Sequence, residues 1–254
     1  MSRSVVQGKI AVVSGGSTGV GKAAAKQLAA AGARVVVLAR RPDRLEAAVA
    51  EIGGSALGIP TDIGDGASVR AAFATVSERF GRVDILLNCA GAARIRAIED
   101  STDEDIRACV GTNLLGPIHT TRSAVPLLRA AGGGDIVNVS SQITLDHMPL
   151  MSLYAASKHG LNGFTNAMRQ DLRADGIRVT LVILGAVGDT AFFENNFTRE
   201  DRERARPVWD ADGYLARVGA VKPMTSAAVS QILVELITRP AEIGQDVMHI
   251  RPAG

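Results

Sequence analysis

Short apolar runs recur along the chain at residues 10–13, 35–38, 85–87, 136–139 and 179–184, and several begin or end beside glycine. Each is rich in valine, isoleucine or leucine and lacks polar alternation, the pattern of a strand covered on both faces and hence of a parallel sheet. Residues 22–31, 44–52, 67–80, 105–129 and 153–174 instead carry helical spacing of apolar positions with alanine-rich propensity. Strand, helix, strand in repeated order predicts an α/β architecture, a doubly wound parallel sheet. No linker or low-complexity block interrupts the alternation, and 254 residues is a length at which α/β chains build one continuous core. One domain over residues 1–254 is expected.

The least regular stretch is 190–223. It holds Phe192, Phe193, Phe197, Trp209 and Tyr214 among many charges. Aromatic side chains gathered in an irregular segment fit a flap closing over an apolar ligand, or a packed surface excursion. The charges of 199–206 read as a solvated helical face.

Composition excludes more than it identifies. Lysine and arginine (28) nearly balance aspartate and glutamate (26), and a net charge of +2 gives no field that gathers nucleic acid or an anionic membrane. Cys89 and Cys109 are too few for a disulfide framework and lack the close Cys/His neighbours of a zinc site, so buried reduced thiols and no metal are expected. The apolar run at 10–13 is too short for a signal peptide. No segment approaches the roughly 20 apolar residues that span a bilayer. A soluble, cytoplasmic protein is expected.

Chemistry first enters after the first strand, where Ser14, Gly15, Gly16, Ser17, Thr18, Gly19, Val20 and Gly21 lead into a helix expected at Lys22. Glycines let the backbone turn sharply and approach a pyrophosphate, while free amides at a helix start supply donors and a positive dipole end. Gly19, Gly21 and Ala24 also satisfy the looser dinucleotide spacing. An NAD site usually places a carboxylate about 20 residues farther on to accept from the ribose hydroxyls. Here stand Arg40 and Arg41, which suit a 2′-phosphate through charge-assisted hydrogen bonds. NADP is preferred, with NAD as the alternative.

Tyr154 is followed four residues later by Lys158, with Ser140 and Ser141 a short way upstream. That spacing puts both side chains on one face of a helix. A phenol donates and accepts protons near neutral pH only when a nearby cation stabilises its phenolate, so the pair can act as a unit.

With Asn88, Cys89, Ala90 and Gly91 closing the fourth strand, and Ser141, Tyr154 and Lys158 following in order, the chain resembles the short-chain dehydrogenase/reductase family over nearly its whole length. The resemblance implies a single-domain Rossmann fold of about seven strands with helices on both faces. It also implies an NAD(P)-dependent oxidoreductase interconverting a carbonyl and a primary or secondary alcohol. On the family's pattern the glycine turn matches Gly15, Gly19 and Gly21, with Ser17, Thr18 and Val20 between them. The adenine-side contact falls on Asp62 and Ile63, and the next motif on Asn88, Ala90 and Gly91. The catalytic asparagine matches Asn113, and the catalytic serine is Ser141, since Ser140 points to the other side of its strand. Two departures follow the sixth strand: Leu184 then Gly185 where proline then glycine is common, and a hydroxyl one place late at Thr190, with Val187 still expected at the nicotinamide.

In the implied mechanism Ser141 and Tyr154 hydrogen-bond the carbonyl, and Tyr154 protonates the developing alkoxide. Lys158 and the oxidised cofactor lower the tyrosine pKa; Lys158 also binds the nicotinamide ribose, and Asn113 holds a water linking Lys158 to solvent. The expected substrate pocket comprises Ala93, Gln142, Ile143, Leu150, Phe192, Phe193 and Trp209, which suits a hydrophobic alcohol or ketone. His147 either binds a polar group or is an exposed loop histidine. Arg94 and Arg96 either meet a substrate carboxylate or are solvated. The ending Ile250, Arg251, Pro252 resembles members acting on hydroxy acids and related small alcohols. A homotetramer is implied, with a dimer second. Two other readings stand beside this one: a dinucleotide sensor without turnover, which needs no proton donor, and an epimerase or isomerase with retained cofactor.

Overall fold

The computed structural model describes residues 6–54, 56–219, 221–240 and 242–253. Their order is β1 (Ile10–Ser14), α1 (Gly19–Ala30), β2 (Arg34–Ala39), α2 (Pro42–Ile52), β3 (Leu57–Pro60), α3 (Gly66–Phe80), β4 (Ile85–Asn88), α4 (Asp103–Val110), α5 (Gly116–Ala130), β5 (Gly134–Ser141), α6 (Ser152–Leu172), β6 (Ile177–Leu184), α7 (Phe192–Asn196), α8 (Arg199–Ala211), α9 (Tyr214–Gly219), α10 (Ser226–Thr238) and β7 (Val247–Ile250). The strands form one parallel seven-stranded sheet in the order β3-β2-β1-β4-β5-β6-β7. Strand order reverses between β1 and β4, which opens a crevice at their carboxyl ends.

The unbroken apolar runs have a direct cause. Alternate residues face opposite sides of a strand, and both sides are covered. Val13, Val35, Val37, Leu87 and Val137 pack with Leu28 of α1 and Leu233 and Ile237 of α10. Val12, Val36, Leu38, Leu86 and Ile136 pack with Phe73 and Val76 of α3, Leu128 of α5 and Met168 of α6. Burying one such side chain is worth about 1.5–3 kcal/mol.

Three features depart from the sequence expectation. The helix after the glycine turn begins at Gly19 rather than Lys22, which makes the last three residues of the turn the helix start itself. The helix expected over 105–129 is α4, then a π-helical turn at Gly111–Leu115, then α5. Its first turn is set by a capping box between Thr102 and Asp105. The 190–223 stretch contains three helices, with a second capping box between Thr198 and Asp201 starting α8. Among the described residues no helix is long and apolar enough to cross a membrane.

Candidate active site

A crevice of about 880 Å³ lies along the carboxyl ends of the strands. Its first wall is the turn after β1. Gly15 has φ +70°, and a Cβ there would stand 2.6 Å from Ala90 Cα; one on Gly21 would stand 2.5 Å from the Gly15 carbonyl oxygen. A side chain at Gly15 would force the turn away from the segment after β4, and one at Gly21 would force the start of α1 off the turn. The first-turn amides of α1 have no intrahelical acceptor, no acidic residue sits in that turn, and Thr18 makes no side-chain cap. The donors are therefore left for an anion, and the residues present fit a dinucleotide pyrophosphate. Gly15, Ser17, Thr18, Gly19, Val20 and Gly21 all line this wall, followed by Arg40, Arg41, Asp62, Ile63, Ala90 and Gly91.

Two expected residues lie elsewhere. Asn88 is buried beneath the crevice, where its Oδ1 accepts from Thr120 Oγ1 at 2.8 Å and its Nδ2 donates to Asn138 Oδ1 at 2.8 Å. Asn138 continues the chain of bonds to Thr165 Oγ1 at 2.9 Å, so Asn88 ties β4 to β5, α5 and α6. Asn113 is also fully buried. Its side chain accepts from Ala92 N at 2.9 Å and donates to Ala92 O at 2.7 Å and Ser157 Oγ at 2.9 Å. With its carboxamide so engaged, Asn113 pins the π-helical turn to the loop after β4 and to α6.

The opposite wall carries Ser141, Tyr154 and Lys158. Ser141 ends β5, its Oγ accepting from Ile143 N at 3.2 Å, whereas Ser140 points away and donates to Asn162 Oδ1 at 2.6 Å. Tyr154 and Lys158 fall on the buried face of α6 with Ser157 and Leu161. Lys158 Nζ donates to Val139 O at 2.8 Å and stands 5.9 Å from the Tyr154 ring centroid. Ser141, Tyr154 and Lys158 line the same crevice as the glycine turn.

The electrostatics of the protein alone are set by burial. Burial pushes the Tyr154 phenol up to about 12, with the facing Ser141 hydroxyl pulling it down and Cys109 adding to the rise. Burial likewise pushes the Lys158 ammonium down to about 8. Without a bound ligand the phenol is not acidified, because desolvation of a phenolate outweighs its neighbours. Cys89, also in the crevice, is pushed up to about 12 by burial, which keeps it a neutral thiol at pH 7.

The far end of the crevice is walled by the 190–223 helices. Phe192 stands 6.1 Å from the Tyr154 ring and meets Phe193 and Phe197 edge-on at 6.1 and 6.2 Å. Gln142, Ile143, Phe192 and Phe193 line the crevice as expected. Ala93, Leu150 and Trp209 do not: all three back that wall, and Trp209 Nε1 donates to Pro149 O at 2.9 Å. His147 is exposed and stacks on His159 at 5.4 Å. Arg94 and Arg96 share one partner, the Asp105 carboxylate, at 3.0 and 3.1 Å. Reading the sequence missed Met148, Met151, Asn195 and Arg217 as crevice residues, since the loop before α6 and the short helices α7 and α9 give no periodic signal.

The departures after β6 also find their reasons. Leu184 pairs with Ser141 and with Ile250, and Gly185 N donates to Ile250 O at 2.8 Å. Asp189 turns away to accept from Ser226 N and Oγ at 2.6 and 3.0 Å, at the start of α10. Thr190 therefore takes the crevice position, its Cγ2 3.2 Å from where a Gly19 Cβ would stand.

The Asp105 cluster yields a stability prediction. Burial pushes its carboxyl up, but the bonds from Thr102, the charge of Arg96 and the hydrogen bond from Arg94 outweigh this and hold it below the usual range. Its contribution is thus present above the unfolded carboxylate pKa and is lost as pH falls through the lowered folded value. Asp105→Ala, which leaves two half-buried guanidiniums unpaired, is expected to cost about 3 kcal/mol in urea unfolding at pH 7. A loss that stays constant into strong acid would contradict this account.

Residues 9–201 match the short chain dehydrogenase family model. The chain belongs to the short-chain dehydrogenase/reductase family. It is 35% identical over 179 residues to a 3-oxoacyl-acyl-carrier-protein reductase of Bos taurus, covering 70% of this chain and 76% of that one. A metagenomic short-chain oxidoreductase solved with NADP superposes with TM-score 0.80 at 27% identity, over 98% of this chain and 99% of that one. A 3-ketoacyl-acyl-carrier-protein reductase from Brucella melitensis, solved with NADH, gives 0.81 at 26% identity over 97% and 98%. Oxidoreductase chemistry on CH–OH groups with a nicotinamide dinucleotide follows from membership of this family.

Proposed function

We propose that the protein is an NADPH-preferring enzyme that interconverts a hydrophobic carbonyl compound and its alcohol, with Tyr154 as the proton donor and acceptor. The observation carrying this reading is that Tyr154, Ser141 and Lys158 share one crevice with the glycine turn. Bound nicotinamide supplies or takes up the hydride. Ser141 and Tyr154 orient the substrate oxygen, and Tyr154, neutral at pH 7 in its buried setting, is in the protonation state that donates during reduction. Lys158 binds the ribose and stabilises the phenolate left behind. The π-helical turn at Asn113 holds Lys158's surroundings in place through Ser157. Phe192, Phe193 and Ile143 exclude water from the reacting carbon, the role proposed for the 190–223 flap.

The preference for NADPH rests on Arg40 and Arg41, exposed at the end of β2, where no ion pair among the described residues engages either. Titrating purified protein with NADPH and NADH, then assaying a panel of ketones and aldehydes by nicotinamide absorbance, tests the whole reading. The Arg40→Ala/Arg41→Ala variant is expected to bind NADPH about 10–100-fold more weakly, as loss of charge-assisted hydrogen bonds implies, with NADH affinity unchanged. Equal weakening for both nucleotides would end the 2′-phosphate assignment. Assembly as a homotetramer is part of the proposal, supported by the exposed Ile106 and Leu115 flanking the Asn113 turn; elution as a lone subunit at micromolar concentration would refute it.

A further inference from the structure

Three strand ends lie side by side beyond the catalytic serine. Ser141 of β5 pairs with Leu184 of β6, and Leu184 pairs with Ile250 of β7. The next residues are therefore Gln142, Gly185 and Arg251 in spatial order, and all three line the crevice. A Cβ on Gly185 would stand 2.9 Å from Gln142 Oε1 and 3.2 Å from Arg251 Cα. The Gln142 carboxamide thus lies over Gly185 on the side of Arg251, and the missing side chain in the middle leaves a ledge. Adjacent strands are about 4.8 Å apart, so the ledge begins within a few bonds of the position where Ser141 meets a substrate oxygen.

The polar groups on this ledge are unclaimed. Among the described residues neither the Gln142 carboxamide nor the Arg251 guanidinium has a hydrogen-bond or ion-pair partner. The other arginines of the substrate end are engaged: Arg94 by Asp105, and Arg217 by Asp212 at 3.1 Å and Asp146 at 3.7 Å. A guanidinium and a carboxamide carried on neighbouring strand ends of one crevice are donors of the kind that recognise a carboxylate.

We propose that Gln142 and Arg251 form a carboxylate-binding subsite, and that the substrate is a hydroxy acid, or the corresponding oxo acid, whose apolar substituent packs on the Phe192 wall. The proposal rests on the oxidoreductase reading above and specifies its substrate class. Arg251 sets specificity and takes no part in proton or hydride transfer.

The test uses 3-hydroxy-3-phenylpropanoate and its methyl ester with the full-length protein, assayed with NADP⁺ and in parallel with NAD⁺. Wild type is expected to favour the acid. Arg251→Ala lowers kcat/KM for the acid about 10–100-fold, the range for one hydrogen bond to a charged group, and leaves the ester unchanged; Arg251→Lys restores part of the loss. Calorimetry of 3-phenylpropanoate, which lacks the reacting hydroxyl, on NADP⁺-saturated protein should show the same weakening in Arg251→Ala. Equal losses on acid and ester, a wild-type preference for the ester, or 3-phenylpropanoate binding that is absent or indifferent to Arg251→Ala would overturn the subsite. No wild-type turnover of either compound, with Arg251-dependent binding of 3-phenylpropanoate intact, counts against the oxidoreductase reading and supports the subsite.

Discussion

Tyr154→Phe is expected to abolish turnover while leaving nucleotide binding intact. The phenol is the ionisable group on α6 that meets the reacting oxygen in the proposed mechanism, and loss of a positioned proton-transfer group lowers the rate by about 10²–10⁴-fold. Phenylalanine keeps the ring that packs against Phe192, so the fold and the glycine-lined wall are untouched. Fluorescence titration with NADPH and single-turnover kinetics separate the two effects. Wild-type-like turnover in the variant would refute the role of Tyr154, and a parallel loss of NADPH affinity would make the residue a structural support of the crevice. The burial that pushes the phenol up to about 12 adds a second readout. A donor that stays protonated throughout the neutral range gives reduction a rate that is flat with pH. Oxidation needs the phenolate, so its kcat/KM should climb as pH rises from 7 to 9.

Much of this arrangement was legible in the chain itself. The runs at β1, β2, β4, β5 and β6 read as strands because each is covered on both faces, which leaves no room for polar alternation. The edge strands were not legible for the same physical reason in reverse. Leu57–Pro60 and Val247–Ile250 are only partly buried, and a strand with one free edge tolerates Gly58, Pro60 and His249. Motif spacing located Ser141, Tyr154 and Lys158 because strand and helix geometry translate directly into which side chains share a face. It could not locate Gln142 beside Arg251, since that neighbourhood arises from register across three strands whose partners are separated by long stretches of chain. Nor could it show that Asn88 and Asn113 spend their carboxamides inside the protein, or that Arg94 and Arg96 share Asp105. A polar side chain's partner is decided by packing, and a sequence shows only that a partner is needed.

Lys158→Met is expected to lose activity and gain stability, a combination that separates function from scaffolding. Lys158 is 4% exposed and among the described residues its ammonium makes one hydrogen bond, to Val139 O, so its hydration is poorly replaced. Its depression from 10.5 to about 8 means that holding the charge at pH 7 costs about 3 kcal/mol, at 1.36 kcal/mol per unit. The sign follows from proton counting: between the folded and unfolded values the unfolded chain binds more protons, so stability rises with pH. The deficit is fully present below pH 8 and fades toward 10.5. Methionine fills the same volume without the charge, and the variant should melt roughly 5–10 °C higher at pH 7, as about 3 kcal/mol implies for a chain of this size. Wild type should approach the variant as pH is raised toward 10, while variant turnover stays depressed at every pH. A variant that melts below wild type would show that the Val139 contact holds the fold, and the case for Lys158 as a group kept at a cost for its action on Tyr154 would fail.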